Sequence, residues 1–237
     1  TGSRTAELRR VDAGKSTQIL SKVVVVYPYN ENYYINPETC DIQAFMPAEQ
    51  TYLEDSYGLD GNIMVSAGYY NQFSLKNVCG WLKGQLKGNG EMIKSITLRG
   101  NSGEQVAGEL YINTTDASSA LASEMYDITD DSDGMAGSAG GNLVFDDTIL
   151  KEVTLNCGEG VVLGAEATAF YIALPPQTFT QGLTITITAH DGTEMIKSTA
   201  EEIVIERNTI QPMAALEYDG IPDNEIWYTT TDGNIVI

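Results

Sequence analysis

The stretch Leu183-Thr-Ile-Thr-Ile-Thr-Ala-His-Asp-Gly-Thr-Glu-Met-Ile-Lys-Ser198 decides the fold class. Its first seven residues alternate apolar and hydroxyl side chains, which is the period of a strand with one face on a core and the other in water. The pair Asp191-Gly192 suits a tight turn, because glycine accepts positive φ and aspartate tolerates it. The residues that follow begin a return strand. The stretch therefore predicts a β-hairpin.

Short apolar segments separated by turn residues recur along the rest of the chain, whereas a helical period is almost absent. One exception, Ser118–Tyr126, predicts a short surface helix. Many short strands at this spacing favour an all-β fold of antiparallel β-sandwiches over a sheet with helical crossovers. The further predicted strands are Ser21–Tyr27, Asp41–Phe45, Asn62–Ala67, Phe73–Leu86, Met92–Arg99, Gln105–Ile112, Leu150–Asn156, Ala167–Leu174 and Glu202–Glu206.

The charge balance excludes one class of partner. The 237 residues carry 13 Lys and Arg against 33 Asp and Glu, a net charge of -20. A nucleic-acid binder needs clustered cations to neutralise phosphates, so no nucleic-acid partner is predicted. Residues 1–30 are by contrast basic, and we interpret them as a leader that a trypsin-like protease can reach. Its arginines are Arg4, Arg9 and Arg10.

Candidate catalytic groups are few. The three cysteines form no closed disulfide framework, and Cys79 and Cys157 end apolar stretches, where a free thiol is typical of a small buried hydrophobe. The single histidine, His190, falls at the predicted hairpin tip, so no thiol catalysis is expected. We predict no enzyme, no cofactor and no metal centre.

Acidic motifs leave two alternatives open. Residues 129–134 partly match a calcium loop, with Asp131 and Asp133 at ligand positions, but a solvated acidic loop fits as well. Paired carboxylates could serve a glycoside hydrolase if a cleft brought two of them together, which adjacency in sequence does not provide. These pairs are Asp130/Asp131, Asp146/Asp147 and Glu201/Glu202.

A series of segments, in order along the chain, carries a resemblance to a known family. They are Phe73–Lys83, Lys94–Glu104, Leu155–Gly160, Tyr171–Phe179, Ile185–Thr188, Lys197–Thr199 and Ile205–Met213. These segments resemble the fimbrillin-like surface proteins of the Bacteroidales, the type V pilin superfamily. Two upstream pieces, Val26–Tyr29 and Phe45–Thr51, fit the same family.

The resemblance implies two successive transthyretin-like, Greek-key sandwich lobes. We accordingly expect a leader and first lobe over 1–72, a second lobe over 73–218 and an extended tail over 219–237. It also implies export to the cell surface, with anchoring in the outer membrane or incorporation into a pilus. Partners would be other pilin or adhesin subunits, joined by strand addition after a protease trims the N-terminal segment at Arg4, Arg9 or Arg10.

The tail admits two interpretations. Asn224–Ile237 is similar to the segment that opens the leucine-rich-repeat region of BspA-like surface proteins, which suggests the N-terminal module of a longer adhesin. Alternatively, residues 225–237 are a donor strand for a neighbouring subunit, because a free strand satisfies its backbone groups at a sheet edge.

We therefore predict a noncatalytic cell-surface module for pilus assembly or adhesion. The alternative is a glycan-binding sandwich whose exposed tyrosine rings stack on sugars of a host or bacterial surface. The tyrosines assigned to that alternative are Tyr33, Tyr34, Tyr69 and Tyr70.

Overall fold

The computed structural model describes residues 23–36, 41–68, 75–113, 122–125, 150–220, 228–229 and 235–236. Over these ranges the chain forms strands and no helix, which confirms the predicted all-β fold class. In the same ranges there is accordingly no helix long and apolar enough to span a bilayer.

The strands are short and follow one another closely. In the first half of the chain they are β1 (Val23–Tyr27), β2 (Tyr34–Ile35), β3 (Ile42–Met46), β4 (Glu49–Thr51), β5 (Met64–Gly68), β6 (Lys76–Asn77), β7 (Gly80–Lys87), β8 (Met92–Gly100), β9 (Gly108–Asn113) and β10 (Ala122–Met125). In the second half they are β11 (Glu152–Val162), β12 (Thr168–Leu174), β13 (Gln177–Phe179), β14 (Leu183–Ala189), β15 (Glu194–Ser198), β16 (Ile203–Ile205), β17 (Ile210–Glu217), β18 (Tyr228–Thr229) and β19 (Ile235–Val236).

Two pairs of sheets enclose two hydrophobic cores. In what we call the larger sandwich, a five-stranded sheet (β15-β14-β8-β11-β4) faces a three-stranded sheet (β12-β7-β17). In the smaller sandwich, the sheet β1-β5-β6 faces the four-stranded sheet β10-β9-β3-β2. The short pairs β13-β16 and β18-β19 complete the described strands.

The two cores meet at the strand pair β7 and β12. Leu82 on β7 faces the larger core, whereas its neighbour Trp81 faces the smaller one, because successive side chains of a strand point to opposite sides. Trp81 is opposite Ala173 of β12 in the ladder, and both belong to the smaller core. The ring of Tyr57 stacks on Trp81 at 4.4 Å between centroids. The three-stranded sheet is therefore covered on both sides at this end, and the boundary predicted between residues 72 and 73 stays a prediction.

Most ladders are antiparallel, as predicted, but two edge strands pair in parallel. β4 joins β11, with Gln50 opposite Leu155, and β17 joins β7, with Ile210 opposite Trp81. Parallel neighbours need long connections, and both pairs join parts of the chain that are far apart in sequence. The sequence pattern marks strands but not their direction, so it does not reveal these pairings.

The hairpin predicted over residues 183–198 is confirmed. β14 and β15 pair from Thr184–Ser198 to Thr188–Glu194, and Gly192 has a φ of +89° in the turn. The prediction that the threonine face is fully wet is wrong at Thr184, which is buried. Its hydroxyl donates to Asn101 Oδ1 at 2.7 Å, from the turn after β8, so a contact distant in sequence covers this position.

The helix predicted over Ser118–Tyr126 is wrong where the structure describes that segment. Ala122–Met125 is strand β10, and its ladder with β9 places Glu124 opposite Tyr111. The preformed edge of β9 offers a row of backbone partners, and such tertiary pairing overrides a weak local helix preference.

Candidate functional site

The interior of the larger sandwich leaves no room for a substrate. Apolar side chains fill it, and the void that remains between the sheets is about 20 Å³. An apolar void of this size has space for about one water and no polar partners to hold it. Residues that line the void include Leu82, Ile96, Phe170, Ile185, Met213 and Leu216. Among the described residues of this sandwich, space for another molecule is therefore found on the edges and outer faces of the sheets.

One side of the larger sandwich is closed by a polar contact, which we call the clamped seam. Gln50 on edge strand β4 donates from Nε2 to the carbonyl of Ala173 on edge strand β12 at 2.8 Å, and its Oε1 accepts from the Ala173 N–H at 2.8 Å. Both residues are buried. A Cβ on Gly61 would lie 2.8 Å from the Ala173 Cβ, so glycine is needed beside the contact. The carboxamide thus takes the place of a neighbouring strand at this point of the β12 edge.

The other side, which we call the latched seam, joins β17 to the β14–β15 hairpin. Met213 of β17 is buried against the void. At the end of the strand the hydroxyl of Tyr218 lies 3.0 Å from Thr193 Oγ1 and donates to the Thr193 carbonyl at 3.2 Å. Among the described residues, apolar packing and the contact between Tyr218 and Thr193 therefore hold this side.

Both edge strands of the latched seam carry features that oppose the addition of another strand. Pro212 on β17 has no N–H to donate, and the register with β7 shifts between Pro212 and Ala215. On β15, Lys197 holds the position opposite core-facing Ile185, where a charge discourages edge-to-edge pairing.

The two thiols within the described ranges are free and buried, which confirms the prediction for Cys79 and Cys157. Burial raises the pKa of Cys79 to about 12, against a smaller lowering by a backbone hydrogen bond from Ile63. Burial also raises the pKa of Cys157 to about 12. The Cys79 sulfur lies 3.2 Å from Met46 Sδ. Both thiols therefore stay protonated near neutral pH and pack as apolar groups.

The acids and the histidine do not converge in the part of the chain that the structure describes. Glu201 and Glu202 are exposed, and His190 is exposed beside the hairpin turn. Hydrogen bonds from the backbone and hydroxyl of Thr193 lower the pKa of the neighbouring Asp191. No three His, Cys, Asp or Glu side chains in the described ranges cluster as metal ligands.

Several predicted positions fall outside the described residues. These are the processing arginines Arg4, Arg9 and Arg10, the tyrosines Tyr69 and Tyr70, the loop 127–134 and the pairs Asp130/Asp131 and Asp146/Asp147. In the tail, the described residues of β18 and β19 pair with each other in an antiparallel ladder.

Of the predicted glycan-stacking tyrosines, two are described and they differ. Tyr33 is half-buried against the smaller core, and burial raises its pKa to about 12, with a smaller contribution from Cys79. Tyr34, in contrast, is exposed on β2. Tyr34 is therefore accessible to a ligand, whereas Tyr33 packs against the smaller core.

Tyr34 belongs to a set of surface side chains that we call the aromatic face, on the outer side of the four-stranded sheet. In the ladder, Gln43 of β3 lies between Tyr34 of β2 and Tyr111 of β9, and Phe45 lies opposite Glu109. The core-facing residues between them, such as Ala44 and Leu110, are buried, so the alternation sends this set outward. The members of the aromatic face are Tyr34, Gln43, Phe45, Glu109 and Tyr111.

Sequence reasoning did not find four of these five residues. The alternation in Ile42-Gln-Ala-Phe-Met46 and in Gly108-Glu-Leu-Tyr-Ile-Asn113 was a sufficient signal for which residues face outward. What the sequence did not indicate is that β2, β3 and β9 are neighbours, because β9 follows β3 only after five other strands.

Comparison with known proteins supports the fold. No protein-family model matches the chain, and no curated protein matches it. One similar crystal structure, described provisionally as a cell adhesion protein from Bacteroides ovatus, is 14% identical with a TM-score of 0.50, over 90% of this chain and 70% of the other. Another, described in the same way and from Bacteroides uniformis, is 11% identical with a TM-score of 0.45, over 83% of this chain and 67% of the other. The Bacteroides ovatus structure shares the fold with this chain, and membership of the fimbrillin-like proteins stays a prediction.

Proposed function

We propose that this chain is a noncatalytic module of a bacterial cell surface that acts in adhesion or in pilus assembly. The observation that carries the proposal is the filled interior of the larger sandwich, with a void of about 20 Å³ among apolar side chains. A module with a filled interior binds its partners through its sheet edges and outer faces. The shared fold with a structure described as a cell adhesion protein supports the same assignment.

We propose further that the partners are other pilin or adhesin subunits, and that strand addition joins them after proteolysis. Pro212 and Lys197 guard the edges of β17 and β15, so that adventitious pairing of the untrimmed protein is disfavoured. Under this proposal, removal of the basic leader at Arg4, Arg9 or Arg10 makes a pairing site accessible. Display on the outer membrane or in a pilus belongs to the same proposal.

Limited proteolysis tests the assembly form. Purified protein is treated with a trypsin-like protease that cuts only after arginine, because the leader also contains Lys15 and Lys22. It is then mixed with untreated protein and run on denaturing gels without boiling. Ladders that resist SDS are expected for the trimmed wild type and not for the triple variant Arg4→Ala/Arg9→Ala/Arg10→Ala. A product that stays monomeric under every cleavage condition would contradict assembly and leave adhesion as the function.

A second candidate function is glycan binding by an outer sheet face. The observation that favours it is the exposure of Tyr34 on β2, since an exposed ring offers a flat apolar surface with a polar tip. A glycan array on the intact protein tests this function, and an array without signal would remove it.

A further inference from the structure

The aromatic face places three rings on a small, regular grid. Tyr34 and Tyr111 are each opposite Gln43, on the two strands that flank β3. Two strand spacings separate them, so their Cβ atoms are about 10 Å apart. Phe45 lies two residues along β3 from Gln43, about 7 Å away. Tyr34 and Tyr111 thus lie at the two ends of a row that crosses three strands. Phe45 lies beside the middle residue of that row.

The ring of Tyr111 is held in place by a neighbouring carboxylate. Its hydroxyl donates to Asp41 Oδ2 at 2.6 Å, a length typical of a strong, charge-assisted hydrogen bond. Asp41 is itself buried, immediately before β3. This contact ties the phenol to the sheet, and a ring that is already ordered loses little freedom when a ligand stacks on it.

Two polar side chains between the rings have unused hydrogen-bonding capacity. Gln43 and Glu109 are both half-buried, and no hydrogen bond joins either side chain to another residue in the described ranges. Burial raises the pKa of Glu109, which reflects the loss of solvent around its carboxyl. Partly desolvated donors and acceptors without partners are groups that a bound hydroxyl can satisfy.

The charge and the size of the face restrict its ligand. Its members include one carboxylate and no Lys or Arg, on a chain with a net charge of -20, so an anionic ligand is repelled. The area of a grid of about 10 Å by about 7 Å is far below the roughly 800 Å² that each partner buries in a stable protein interface. Flat rings with acceptors and amide donors between them match a molecule with apolar C–H faces and many hydroxyls.

We propose that the aromatic face of the smaller sandwich, formed by Tyr34, Gln43, Phe45, Glu109 and Tyr111, binds a short stretch of neutral carbohydrate. The rings of Tyr34, Phe45 and Tyr111 stack on the apolar faces of the sugar units. Gln43 and Glu109 exchange hydrogen bonds with the sugar hydroxyls. This inference rests on the proposed surface function and gives it a specific site and substrate class.

Binding is tested with oligosaccharides of two to six units. The neutral arm contains manno-, xylo-, gluco- and galacto-oligosaccharides, and the acidic arm contains sialylated and uronate oligosaccharides. Wild-type protein is expected to bind at least one member of the neutral arm. Titration calorimetry should then show the affinity falling at least tenfold in Tyr34→Ala and in Phe45→Ala, and about fivefold in Gln43→Ala. Phe45→Tyr, which keeps the ring, should retain binding.

Tyr171→Ala is the matched control, because Tyr171 is a half-buried tyrosine of β12 in the larger sandwich and should leave sugar affinity unchanged. Absence of binding in the neutral arm, binding in the acidic arm alone, or equal affinity of all the variants would overturn the proposal. So would a change of monomer–dimer equilibrium in Phe45→Ala without a change in sugar affinity, since that outcome assigns the face to a second copy of the chain.

Assembly ladders distinguish failure of this inference from failure of the proposed function. Because Phe45 lies on β3, an inner strand of its sheet, its truncation alters no edge strand, and Phe45→Ala should form the same ladders as the wild type. A silent array with intact ladders removes the sugar site and leaves the assembly module standing.

Discussion

The clamped and latched seams close the same sandwich by different means. At the clamped seam one carboxamide satisfies both backbone groups of Ala173, in a buried position. At the latched seam β17 rests on apolar side chains, with the hydroxyl of Tyr218 at its end. A buried polar contact is satisfied in one geometry and costly in all others, whereas apolar packing tolerates small displacements.

The difference suggests that the two seams contribute differently to the stability of the sandwich. The clamped seam sets the position of β4 against β12 through two hydrogen bonds. The latched seam depends mainly on apolar packing, and it is bordered by the edges of β15 and β17. We therefore expect loss of the Gln50 contact to lower global stability most and loss of the Met213 side chain to lower it less, whereas loss of the Tyr218 hydroxyl should act locally in the hairpin.

The largest effect is expected for Gln50→Ala. The substitution leaves the buried N–H and C=O of Ala173 without partners, at about 1 to 3 kcal/mol each, so a loss of about 4 kcal/mol in unfolding free energy is expected. Chemical denaturation measures it. Gln211→Ala is the control, since Gln211 is half-buried and donates one long bond of 3.2 Å to Pro212. Equal stability of the two variants would show that the clamp contributes nothing.

Met213→Ala should have the next largest effect. Met213 is 4% exposed and lines the void, so its truncation enlarges a cavity at a cost of about 3 kcal/mol. Met92→Ala, at a methionine that is 38% exposed on β8, should cost well under half as much in the same denaturation experiment. If Met213→Ala were the milder variant, the latched seam would not be held by apolar packing.

The core of the smaller sandwich differs from both seams in that its contribution to stability should depend on pH. The pKa of Cys79 is about 12 in the folded protein, above the value near 8.5 of an unfolded thiol. Its contribution to stability is therefore present below about pH 8.5 and is lost as the pH rises toward 12, because the unfolded state releases the proton first. Between pH 8.5 and 10 the stability difference between wild type and Cys79→Ala should narrow by about 1.5 kcal/mol.

Equilibrium unfolding at a series of pH values measures that difference. Ile63→Val serves as the control, because Ile63 is buried in the same core and does not titrate. Parallel pH profiles for wild type and Cys79→Ala would contradict the buried, protonated thiol.

The smallest effect is expected for Tyr218→Phe. Loss of the hydroxyl that contacts Thr193 should cost about 1 kcal/mol. Amide hydrogen exchange should speed up in the β14–β15 hairpin and stay unchanged at β4 and β12. Tyr171→Phe is the control. Faster exchange at the clamped seam in Tyr218→Phe would mean that the two seams are coupled.

Local pattern was enough to predict the hairpin at 183–198, because alternation and an Asp-Gly turn both act within a few residues. It was not enough to predict the burial of Thr184, which depends on Asn101 from another part of the chain. Nor could it reveal the Gln50 clamp, whose two halves are 123 residues apart. In each failure the deciding contact joins segments that only the assembled sheets bring together.

The candidate site likewise depends on contacts between segments that are distant in sequence. Tyr34 was predicted as an exposed ring, and the alternation in β3 and β9 was visible in the sequence. Tyr33 was assigned the same role, yet it packs on the smaller core, because adjacent residues of an extended segment point to opposite sides. The neighbourhood of β2, β3 and β9 required the sheet order itself.

The parallel pairing of β4 with β11 has a consequence for how the protein is made. Glu49–Thr51 has no ladder partner until Thr154–Asn156 has been synthesised. The Gln50 side chain likewise has no hydrogen-bond partner until Ala173 has been synthesised. A nascent chain therefore carries β4 without its ladder partner until residues 154–156 have been synthesised. We expect a chain that stops before Ala173 to depend on chaperones until the missing segment is supplied.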